Sequence, residues 1–150
     1  MIFASYIIIL MNEFKFQIAE YLVRTIAGIL FFFQGYDKIF KVKMSGVINA
    51  FMGDAGRHHV PPIIVKISAY YTSIAEFLGG ILLILGLFTN YALYALGLDL
   101  IIVCFAFSMI EPIWDMKFVF PRLVLICILL LMPSQTNAWS LDCLLDIKTR

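Results

Sequence analysis

Nineteen residues, "YYTSIAEFLGGILLILGLF" at 70–88, constrain this chain more than any other stretch. They are apolar enough, and nearly long enough, to cross a bilayer hydrocarbon layer of about 30 Å as a helix. Glu76 stands near their middle, followed closely by Gly79 and Gly80. A charge at the centre of a membrane helix costs about 2.5–3.5 kcal/mol on insertion scales, so such residues face partners inside a bundle and mark functional sites by default. What answers Glu76 is therefore the first question to put to the rest of the chain.

Composition supports the membrane reading. Of 150 residues, 63% are hydrophobic, with a mean hydropathy of +0.97. Soluble domains are about 45–50% apolar. The length suits one domain. A net charge of +1 gives no basic face for nucleic acid. Cys104, Cys127 and Cys143 are scattered and form no C-x-x-C, which excludes a disulfide framework or a zinc site of ordinary spacing.

The spacing predicts an all-α membrane protein, an antiparallel bundle of four helices spanning about 18–38, 67–88, 91–110 and 117–132. Residues 1–17 form an N-terminal segment. Its first ten, "MIFASYIIIL", are too short to span and lack a signal-peptide pattern, so they read either as an extension upstream of a start at Met11 or as an interfacial segment. Residues 39–66 are the longest polar segment. Its first part, "KIFKVKMSGVINAFMGDAG", mixes basic and apolar side chains and suits the membrane surface, and "RHHVPP" makes a loop before the second span. "FTN" leaves almost no linker between the second and third spans, which makes them a hairpin. Residues 133–150 are a tail returning to water, and Trp114 and Trp139 suit the interface. Flanking Lys and Arg leave the orientation undecided.

Counting about 1.5 Å per helical residue from the face that carries the termini puts Arg24 roughly 9 Å deep, Asp99 roughly 12 Å, Arg122 roughly 15 Å and Glu76 roughly 18 Å. The expected site is a neutral intramembrane network of Arg24, Glu76, Asp99 and Arg122, one residue from each helix. Lys38 shares a helical stripe with Arg24, Gly28, Phe31 and Gly35, which places it at the mouth of a pocket. Gly28, Gly35, Gly79, Gly80 and Gly86 would allow the close packing that encloses the network. Three roles stay open for it. It holds the helices together, or binds an anionic or quinone-like headgroup through Arg24 and Arg122, or passes protons through Glu76 and Asp99.

Other chemistry finds little support. His58 and His59 are the only histidines and lie in a loop. No span carries one to ligate haem, and no metal site is expected. There is no Walker loop, dinucleotide turn or iron–sulfur cysteine set. No catalytic residue can be named and no cofactor is expected in this chain itself.

Three segments in order resemble the DoxX-like membrane proteins: "YLVRTIAGILFFFQGYDKIF", "AEFLGGILLILGLFTNYA" and "VFPRLVLICILLLMPSQTNAWSLDCLL". The resemblance covers roughly residues 20–145, and Arg24, Gly28, Gly35, Lys38, Glu76, Gly79, Gly80 and Gly86 fall on its pattern. It implies a four-helix, multi-pass protein of the bacterial inner membrane. It also implies a subunit or accessory of a quinone-linked redox assembly, not catalytic on its own, with quinone as the candidate ligand and other membrane proteins or a second copy as partners. Two rival readings are a non-catalytic scaffold or maturation factor, and a small proton-coupled transporter.

Overall fold

The computed structural model describes residues 2–110, 116–133 and 137–145, and within these the side chains from Met11 onward except at 54, 109, 110, 116 and 118. Six α-helices run in the order α1 (Ile2–Tyr36), α2 (Lys43–Arg57), α3 (Pro62–Leu85), α4 (Thr89–Ile110), α5 (Met116–Leu131) and α6 (Leu141–Leu144), with a π-helical turn at Asp37–Val42 between the first two. No strand occurs among the described residues. Trp114 lies outside them.

Three helical stretches are long and apolar enough to cross a membrane, within Met11–Arg57, Pro62–Leu85 and Thr89–Ser108, and Val119–Leu131 is a shorter apolar helix. α1 packs along α3, α3 along α4, α4 along α5, and α5 back on α1, so these four close into a ring. Its centre holds Ala27, Phe31, Leu83, Leu93, Leu96, Leu100, Ile126 and Leu129. The outside is unusually apolar for a protein: Phe33, Tyr70, Ile101, Phe105 and Leu131 are among many large side chains left exposed. Contiguous apolar surface of this kind needs a non-aqueous partner, here lipid. The polar groups run the other way, with Glu20, Arg24, Glu76 and Asp99 fully buried. This is an all-α, multi-pass membrane protein.

Local sequence explains the helix boundaries. Pro61 caps α3 and Pro62 occupies its first turn, where a missing N–H costs nothing. Gly86 ends it in the left-handed conformation (φ +64°). There the Gly86 and Leu87 N–H groups donate to the carbonyls of Leu83 and Leu82 at 3.2 and 2.9 Å, a closure that needs glycine at the turn. The α3–α4 hairpin is accordingly as tight as "FTN" predicts. The observed α3 begins five residues before the expected span at 67, because Pro62 can start a helix that the apolar count alone does not mark.

The first loop differs most from expectation. Residues 39–66 are largely helical and pack on the bundle. They form the π turn, α2 and the start of α3, and α2 packs on α3 and α4. Val47 and Ala55 are buried and Phe51 half-buried. Steps of four put them on one stripe facing the bundle. Nor does α1 break near residue 17; it runs on through the N-terminal segment.

Candidate functional site

The intramembrane charges fall into two groups, and the expected single network is divided between them. α1 and α3 are antiparallel. Arg24 therefore stands level with the end of α3, while Lys38 stands level with Glu76. Along α3, Ile84 lies eight residues beyond Glu76, roughly 12 Å. Side chains cannot bridge that gap, so Arg24 and Glu76 have separate partners.

Arg24 is fully buried and spends its donors locally. Nε donates to Glu20 Oε1 at 2.9 Å, Nη1 to the Leu83 carbonyl at 2.7 Å and Nη2 to the Trp139 carbonyl at 2.7 Å. A weaker contact reaches the Ile84 carbonyl at 3.5 Å. The last carbonyls of a helix lack intrahelical donors and carry the negative end of its dipole. A planar guanidinium with five N–H groups suits that place. The tail is tied to the same end. Asp142 accepts from the backbone N–H groups of Phe88 and Thr89 at 2.7 and 2.9 Å and from the Thr89 hydroxyl at 2.9 Å, which caps the N-terminus of α4. Its own N–H donates to the Gly86 carbonyl at 2.9 Å. Ser140 caps α6 by accepting from the Cys143 N–H at 3.1 Å. Trp139, half exposed, packs edge-on against Phe14 and Tyr21. Arg24 thus fastens α1, the α3–α4 hairpin and the tail.

The second group is built around Glu76. Lys38 Nζ lies 2.8 Å from Oε1 and 2.7 Å from Oε2. The Glu76 side chain is 1% exposed and that of Lys38 20%. Lys38 is therefore the direct partner of Glu76, not only a residue at a pocket mouth. The π turn carries it there, while its neighbour Asp37 turns outward to an exposed pair with Lys41. Asp99, from α4, lies within electrostatic range of Glu76 and of Lys38. Arg122, from α5, attracts both carboxylates. Formal charges in this group sum to zero. Neither Asp99 oxygen has a hydrogen-bond partner among the described residues, although the side chain is fully buried. Tyr71 is close enough to sense Asp99, and its hydroxyl donates to the Ala95 carbonyl at 2.9 Å.

A cavity of about 140 Å³ adjoins this group. Its walls are mostly apolar, and Lys38, Gln34, Ser68 and Thr72 supply its polar atoms. On α3 the lining residues Val65, Ser68, Ala69 and Thr72 step toward Glu76, four residues on. On α4 the lining residues Ala106, Val103 and Ile102 step toward Asp99. Shared stripes of this kind put both carboxylates just beyond the inner end of the cavity. Gln34 Oε1 is buried with no hydrogen-bond partner, one turn before Lys38.

The glycines set the register that brings Lys38 to Glu76. A Cβ on Gly35 would meet the backbone of Phe77, and one on Gly80 the backbone of Phe32. One on Gly28 would lie 2.9 Å from the Ile84 nitrogen. Gly79 faces Leu96 across the α3–α4 contact, and Gly86 faces Arg24 and Ser140. Sequence reasoning missed Glu20, Gln34 and Asp142. The four-residue spacing of Glu20 and Arg24 was a usable signal, as was the start-of-helix pattern of Ser140 with Asp142. Gln34 gave none.

No curated protein and no solved structure matches the chain. The DoxX family model matches residues 19–109, which takes in the second half of α1, the π turn, α2, α3, nearly all of α4, both carboxylates and Lys38. The chain belongs to the DoxX family.

Proposed function

We propose that this protein is a quinone-binding accessory subunit of a membrane redox assembly, holding the ring in the cavity beside Lys38 and Glu76. The observation that supports this reading is the cavity itself. An apolar cavity of about 150 Å³ accepts benzene, and the one here, about 140 Å³, is of the size of a single ring. Phe51 and Phe107 line it, with ring centroids 6.1 Å apart. Lys38 donates one N–H to Glu76 Oε1 and keeps others, and Gln34 offers an amide. These groups suit the carbonyl oxygens of a neutral ring. A neutral head is favoured over an anion because Glu76 already balances the ammonium. The isoprenoid tail would leave toward lipid.

The test is equilibrium binding of a short-tailed benzoquinone to the purified protein in lipid nanodiscs. Saturable binding is expected, weakened at least tenfold by Ala106→Phe, which fills the cavity. Absence of saturable binding to the parent protein, or unchanged binding in the filled variant, would sink the proposal.

A further inference from the structure

We propose that α2 is a lid over this cavity and that the Lys38–Glu76 ion pair is its latch; the inference rests on the reading of the cavity as a ligand site. α2 supplies Val47, Phe51 and Ala55 to the wall, and Val60 follows from the turn after it. The helix hangs between two joints whose backbone lies in the left-handed region. Lys43 has φ +62° at its start and His59 has φ +57° just after its end. Lys43 is not glycine, so its conformation is strained and relaxes if that joint rotates. His59 instead closes α2 as helix ends commonly do, with the Val60 and His59 N–H groups donating to the carbonyls of Ala55 and Gly56 at 2.9 and 3.3 Å.

The first joint follows directly on the π turn Asp37–Val42. Single π turns are uncommon and gather at functional sites, since they re-space side chains within a helix. This one carries Lys38. Ion pair, hinge and lid are therefore one continuous piece of chain. Swinging α2 away unwinds the turn and draws Lys38 off Glu76, and setting the ion pair holds the lid down. The outer face of α2 exposes Lys43, Ser45, Asn49 and Arg57, so the lid moves at a polar boundary and not through hydrocarbon. The bundle also provides for the open state. Arg122 already attracts Glu76, and remains as counter-charge when Lys38 leaves.

The experiment measures opening without a quinone. Cys104, Cys127 and Cys143 are changed to Ser, and Ser68→Cys places one thiol on the cavity wall. Its labelling rate with N-ethylmaleimide is followed in nanodiscs. Lys38→Met should raise the rate about tenfold or more, and Phe51→Ala should raise it too by removing the contact with Phe107. Lys41→Met, on the same turn but paired with exposed Asp37, should leave it unchanged. An unchanged rate in Lys38→Met overturns the latch. So does an equal rise at Leu93→Cys, a buried position in the bundle core, because that would report general loosening. Since no quinone is used, labelling that responds to Lys38 while quinone binding is absent refutes the quinone reading alone.

Discussion

At the residue scale, the depth of each charge was legible and its partner was not. Arg24 and Glu76 both read as mid-layer, but a difference of roughly 9 Å in depth is more than one side chain closes. Arg24 is taken by Glu20 and by carbonyls at the end of α3. Carbonyls carry no sequence signal, because every residue has one. Removing Arg24 breaks a buried ion pair with Glu20, which costs about 3–5 kcal/mol. Arg24→Met should accordingly lower thermal stability in detergent sharply, and Glu20→Gln in the same chain should recover part of the loss. Arg24→Lys should restore little, because an ammonium lacks the planar fork that reaches three acceptors at once. Full stability in Arg24→Met would contradict this assignment.

At the scale of elements, the α1–α3 contact decides the site. Gly35 meets Phe77 backbone to backbone, and three residues after Gly35 comes Lys38, one residue before Phe77 comes Glu76. The close approach and the ion pair are thus one feature of the antiparallel register. A methyl at Gly35 has no space to enter, and overpacking costs about 1–3 kcal/mol. Gly35→Ala should destabilise the bundle by that amount and also weaken the proposed quinone binding by drawing Lys38 from Glu76. Gly53→Ala, where a Cβ would meet nothing within 4 Å, should leave stability unchanged or raise it by up to about 1 kcal/mol through helix propensity. Thermal unfolding of the two variants side by side checks both. The glycines themselves were readable as packing positions; which backbone each would meet was not, because that depends on how far one helix slides along the other. The lid shows the same limit. Steps of four at Val47, Phe51 and Ala55 are visible in the sequence, but the π turn that redirects the chain is set by tertiary contacts.

For the whole molecule, orientation in the membrane turns on the basic residues near the spans. Lys41, Lys43, Arg57, Lys66 and Lys117 lie at the end that bears α2 and Lys15 at the other, while Lys148 and Arg150 fall outside the described residues. Basic residues near spans favour the cytoplasmic side, so α2 and the lid are expected to face the cytoplasm. With Ser45→Cys as the single thiol, a membrane-impermeant maleimide should label inverted vesicles and spare intact cells. The opposite pattern would reverse the orientation.

By itself, the sequence determined the solvent this protein lives in, its helical class, its tight hairpin and the presence of expensive buried charges. Each follows from local quantities, namely apolar length, turn residues and the cost of ions in hydrocarbon. Only the tertiary structure decided that Lys38 answers Glu76, that Arg24 fastens a helix end instead, and that the first loop closes a cavity. Those outcomes depend on the sliding register between helices, which no single segment encodes. Glycine-to-backbone contact fixes that register to within a fraction of a turn, and the charges take whichever partners it brings within reach.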